Sequence, residues 1–90
     1  MSCYIVIFEV PDSGRLATLK ESLIKSFSGQ CYLSEHSWAI ITDKKAAEVR
    51  DQLGKCLAPG DRLYVFRSGT EGAWYNAASD EHSDWLKRHL

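Results

Sequence analysis

The chain is short of the residues that build a disulfide scaffold, a membrane span or a disordered tail. Its three cysteines, Cys3, Cys31 and Cys56, are odd in number, widely spaced and set close to apolar residues. That pattern argues against a disulfide framework and reads as buried, reduced thiols in a cytosolic protein. No stretch approaches the roughly 20 apolar residues that cross a bilayer. The N-terminus lacks the charged, apolar and small-residue regions of a secretion signal, so the expected location is the cytoplasm, with no membrane partner. With only 2 prolines and 6 glycines, the sequence shows no linker, repeat or low-complexity tract. Charge of one sign is lacking too: a net charge of −1 argues against a strongly basic nucleic-acid coat, though a local basic patch remains compatible with it. His36, His82 and His89 have no metal-ligand spacing, and no nucleophile elbow, phosphate loop or zinc ribbon occurs.

What is present is an ordinary globular composition, 44% hydrophobic over 90 residues. That length is one domain near the lower limit of what folds on a single core, where dimerisation often adds stability.

The clearest element is Tyr4-Ile5-Val6-Ile7-Phe8-Glu9-Val10, apolar on both alternating faces until Glu9. Such a run suits a central strand covered on both sides. Pro11 to Gly14 ends it. Leu16, Leu19, Leu23 and Phe27 then recur at helical spacing, and Ser28-Gly29 is expected to stop that helix. Two short strands lie within Gln30 to Thr42, split near Ser34 to Ser37. A second helix is expected over residues 44–57, capped by Thr42 or Asp43, with Ala46, Val49 and Leu53 inward. Ala58-Pro59-Gly60-Asp61 breaks it, and Arg62 to Arg67 reads as the last strand. Ser68 to Ala78 forms a loop whose two glycines are a poor phosphate cradle. Ser79 caps a final helix with Asp80 and Glu81 in its first turn and Lys87, Arg88 and His89 in its last.

The order βαββαβ, with right-handed crossovers, predicts an α+β ferredoxin-like sandwich. Its four-stranded antiparallel sheet carries two helices on one face, over residues 1–78, with a C-terminal helical extension over 79–90. The other face would be open, and Tyr4, Phe8, Tyr32, Tyr64 and Phe66 are candidates to line it. An aromatic patch of that size marks a partner surface, so a homodimer is expected, through the sheet or through the last strand and C-terminal segment. Trp74 is a further interface candidate.

A first strand of the form apolar, aromatic, acid, apolar (Ile7-Phe8-Glu9-Val10) resembles the small ferredoxin-like proteins of CRISPR adaptation and their VapD-type relatives. Ser37 to Asp43, Asp61 to Val65 and Gly72-Ala73-Trp74 resemble small bacterial proteins placed in that endoribonuclease-type superfamily. The resemblance implies a dimer whose two strand-end acids hold Mg²⁺ or Mn²⁺ for phosphodiester hydrolysis. Glu9 takes that catalytic and metal position, where the family normally has an aspartate, with Asp12 the neighbouring acid. Glutamate places its carboxylate about one bond farther out, and Mg²⁺ demands near-ideal octahedral geometry. Arg15, Arg67, Lys44 and Lys45 are the candidate phosphate contacts. The bland alternative for Glu9 is a solvated strand-end carboxylate or one paired with Arg15 or Arg67. Two functions follow: a nucleic-acid-associated phosphodiesterase, or a non-catalytic homodimeric module that binds protein through the open sheet face.

Overall fold

In the computed structural model, which describes residues 1–69 and 71–90, the chain has the ferredoxin-like fold. The elements are β1 (Ser2–Glu9), α1 (Ser13–Ser26), β2 (Gly29–Ser34), β3 (Ser37–Thr42), α2 (Ala46–Gly54), β4 (Arg62–Arg67) and α3 (Asp80–His89). All neighbouring strands are antiparallel, in the order β2-β3-β1-β4. Each helical crossover therefore skips one strand, which is the split βαβ arrangement.

Register decides what each face carries. Val6 stands opposite Trp38 on β3 and Val65 on β4, and Phe8 opposite Leu63. Tyr4, Val6, Phe8 and Val10 therefore pack with Leu19, Leu23, Phe27, Val49 and Leu53 of the helical layer into the main core. Tyr4 and Phe8 are buried, which corrects their expected place on the open face. Both strand faces are apolar in the sequence, so periodicity could not choose between them. The Tyr4 hydroxyl donates to the Lys44 carbonyl at 2.9 Å, fixing the aromatic under the start of α2. Tyr32 also lies on the helical side, edge-on to Trp38.

The second face is half covered. There α3 places Leu86 against Cys3, Cys31 and Ala39, with Trp85, Ile41, Leu33 and Ile5 around them. Small side chains on the sheet leave room for that helix to approach. All three cysteines are free, and burial pushes the Cys3 and Cys31 thiols up, Cys3 also through the nearby Cys31. Neither is a ready thiolate nucleophile.

The helix ends differ from the sequence expectation in three respects. First, α1 stops at Phe27 in extended backbone, and Gly29 instead opens β2. A Cβ at Gly29 would lie 2.3 Å from Ile41 Cγ1, so close strand packing explains the glycine. Second, α2 is shorter than 44–57, and Lys45 rather than Thr42 or Asp43 occupies its N-cap. Glu48 accepts from Lys45 N at 2.9 Å and so serves one of the free donors of the first turn. Third, Asp12, read as a turn residue, caps α1 with Oδ1, accepting from Gly14 N and Arg15 N at 2.8 and 3.0 Å. Ser79 caps α3 as expected, accepting from His82 N at 3.1 Å.

Candidate functional site

With Leu86 of α3 packed on Cys31, Ala39 and the start of β1 at Cys3, the part of the second face formed by the rest of β1 and by β4 is left as a shelf. Ile5 faces Phe66 and Ile7 faces Tyr64 across the β1–β4 pair. Tyr64 is 45% exposed and Phe66 56%, and their rings stack with centroids 6.0 Å apart. Alternation along β4 puts Leu63 and Val65 on the helical side, so its apolar side chains on the shelf are these two aromatics. Glu9 and Arg62 close one end of it. They are directly opposite across the pair and make a 3.8 Å ion pair, both about two-thirds exposed (67% and 68%). At that exposure the pair adds little stability. Glu9 thus finds its partner in Arg62, not in Arg15 or Arg67.

Arg15 is committed elsewhere. Its Nε and Nη2 donate to the two carboxylate oxygens of Asp61 at 2.8 and 3.0 Å, and Ala58 N donates to Asp61 at 2.9 Å. The Asp61 side chain is only 2% exposed, yet the corner is shallow and Arg15 remains 37% exposed, so solvent still screens the pair. The Arg15 hydrogen bonds, and then the Ala58 amide, hold the Asp61 carboxyl below the usual carboxylate range. Asp12 is likewise held low, chiefly by the amides of Arg15 and Gly14 that it caps. These shifts have a consequence for acid stability. A carboxylate with a depressed native pKa contributes stability above its unfolded value and loses it as pH falls through the native one. The urea midpoint should therefore fall below about pH 4, the ordinary aspartate value, and Asp61→Asn should flatten that acid limb. An identical acid limb in the variant would remove Asp61 from the account.

The candidate phosphate contacts do not form one group with Glu9. Arg67 stands opposite Tyr4, at the far end of β1 from Glu9, about 17 Å away at strand rise. Lys44 lies at that same end, over the Phe27 ring at 5.9 Å and hydrogen-bonded to Gln52, and Lys45 is the neighbouring helix cap. Arg67, Lys44 and Lys45 thus share one end of the sheet, and Glu9, Asp12, Arg15 and Arg62 the other. Among the described residues no three His, Cys, Asp or Glu side chains gather to hold a metal ion. Asp12 spends Oδ1 on two amides and Oδ2 on Arg15 at 3.5 Å.

Trp74 packs towards α3, donating Nε1 to Ser83 Oγ at 3.0 Å, and is 36% exposed. The stretch Ser68 to Gly72 includes Thr70, which lies outside the described residues, so the phosphate-cradle reading of that loop falls there too. Trp38 is buried in the core.

In fold the chain is similar to a solved structure, that of hypothetical protein TT1823 from Thermus thermophilus. The TM-score is 0.69 at 20% identity, covering 84% of this chain and 92% of that one. This likeness establishes the fold alone. No protein-family model matches the sequence, and no curated protein does. No described helix is long and apolar enough to cross a membrane.

Proposed function

We propose that this protein is a non-catalytic, homodimeric protein-interaction module that uses the shelf of β1 and β4 as its contact surface. The observation that carries this reading is the stacked pair Tyr64 and Phe66, exposed to water on β4. Large aromatics are the residues whose burial contributes most to interfaces. The shelf carries both charge signs, Glu9 beside Arg62. Light scattering over a dilution series tests it. The expected mass is twice the 10.2 kDa of the chain, falling towards one chain on dilution. A mass of one chain at the highest attainable concentration would overturn the reading.

A second reading is favoured by one observation, the exposed Glu9 carboxylate on the same face as the aromatics. Following the CRISPR-adaptation resemblance, two sheets stacked face to face could bring both Glu9 carboxylates to one Mg²⁺ or Mn²⁺. Arg67, Lys44 and Lys45 would then contact the nucleic-acid backbone. Cleavage of single-stranded RNA and duplex DNA with Mn²⁺, compared between wild type and Glu9→Ala, checks it. Loss of cleavage in the variant supports that reading, and unchanged cleavage rejects Glu9 as the catalytic group.

A further inference from the structure

We infer that the second copy adds along the free edge of β4, antiparallel, with the two Tyr64 residues facing each other across the two-fold axis. This rests on the homodimer reading above and specifies how the shelf is used.

β4 is an edge strand, and among the described residues nothing pairs with its outer side. The hydrogen-bond phase says which backbone groups are free. Ser68 N donates to Cys3 O at 2.8 Å, and Phe8 N to His36 O at 2.9 Å. Odd residues of β1 thus turn their polar groups to β4, and even ones to β3. On β4, Arg62, Tyr64 and Phe66 bond inward, opposite Glu9, Ile7 and Ile5. Leu63 and Val65 therefore direct N–H and C=O away from the sheet. Natural edges are commonly guarded by proline, lysine, an inward charge or a bulge. Between Leu63 and Phe66 this edge has none of them. Alongside it runs a groove of about 300 Å³ lined by Ala46, Ala47, Arg50, Leu63 and Val65. The alanines of α2 leave space there for the side chains of an added strand.

A second β4 fits that edge under two constraints. Opposed residues must share a face, and outward-bonding residues must meet outward-bonding ones, so odd positions pair with odd. An axis at Tyr64 satisfies both. It sets Leu63 against the partner's Val65, with both backbone hydrogen bonds exchanged, and fills the helical side with aliphatic contact. Tyr64 meets the partner's Tyr64 in a pair without backbone bonds, where side chains approach most closely. Arg62 lies against the partner's Phe66 with cation–π geometry within reach. Moving the axis to Val65 keeps the phase but sets Arg67 against the partner's Leu63 and leaves Arg62 without a ring. The Tyr64 axis is therefore the complementary one. A face-to-face arrangement has less to offer, because α3 leaves a shelf only two strands wide, about 10 Å. The edge arrangement extends the same shelf across both copies in one continuous sheet, with the helical layers on one side.

Amide hydrogen exchange on the wild-type chain, run across the concentration range in which light scattering follows dimer formation, tests this. Protection of the Leu63 and Val65 amides should rise at least about tenfold as dimer forms. Tyr64 and Phe66 amides, already bonded to β1, should be protected throughout. A dimer that leaves Leu63 and Val65 unchanged overturns the edge assignment while the homodimer reading stands. A chain that stays monomeric overturns both. Register is read by oxidation: Leu63→Cys/Val65→Cys should cross-link, Val65→Cys alone should not, and the wild type is the control. Cross-linking by Val65→Cys alone moves the axis to Val65 and overturns the Tyr64 register, as does a dimeric double variant that fails to cross-link.

Discussion

Phe8→Ala should cost about 3–5 kcal/mol of unfolding free energy, the largest stability loss expected from any single side chain here. Phe8 has 0% exposure and lies in the main core, one strand from Leu63 and one residue pair from Val6. Its ring is enclosed between sheet and helices, so truncation leaves a cavity in addition to the lost transfer free energy. A domain of this size holds only about 5–13 kcal/mol in total, so the variant should unfold at markedly lower urea. The comparison must be made at one dilute concentration, because dimer formation adds stability to both proteins by mass action. The same experiment decides the face assignment. Were Phe8 on the exposed side of the sheet, its truncation would fall within about 0.5 kcal/mol of neutral. A loss that small would refute the register described above.

That test bears on how much was legible in the sequence. Element order and the strand pair around Ser34 to Ser37 could be read directly, because the hydrophobic period changes from two to 3.6 and back with turn residues between. The face of β1 could not be read from apolarity, since Ile5 and Ile7 are as hydrophobic as Val6 and Phe8. A signal was nevertheless there: Glu9 belongs to the odd set, and an ionised carboxylate at a strand end points its own set towards water. Followed through, it would have placed Tyr4 and Phe8 in the core. The partial cover by α3 was written less plainly, in the small residues Cys3, Cys31 and Ala39 that receive Leu86. Arg15 and Asp61 are 46 residues apart, and no local pattern links them. The division of the charged residues between two ends of the sheet follows from strand register. Register depends on which strands become neighbours, and a list of strands does not contain that.

Tyr64→Glu should weaken the dimer by about tenfold while leaving the monomer folded. The ring is 45% exposed in the single chain, so its removal disturbs little of the core. On the axis the two Tyr64 rings make one shared cross-strand contact, and such an aromatic pair contributes up to about 1 kcal/mol. With like-charge repulsion of similar size, the loss of about 1.4 kcal/mol corresponds to a factor of ten in Kd. With the axis at Tyr64 the new carboxylates also face each other directly, and like charges opposed on neighbouring strands repel. Phe66→Glu provides the contrast. In that register it faces the partner's Arg62, so a new ion pair offsets part of the lost aromatic contact and the weakening should be clearly smaller. Sedimentation equilibrium of the two variants beside wild type measures both. If Phe66→Glu dissociates the dimer as fully as Tyr64→Glu, Arg62 is not opposite position 66. If neither variant weakens it, the aromatics of β4 are not the contact.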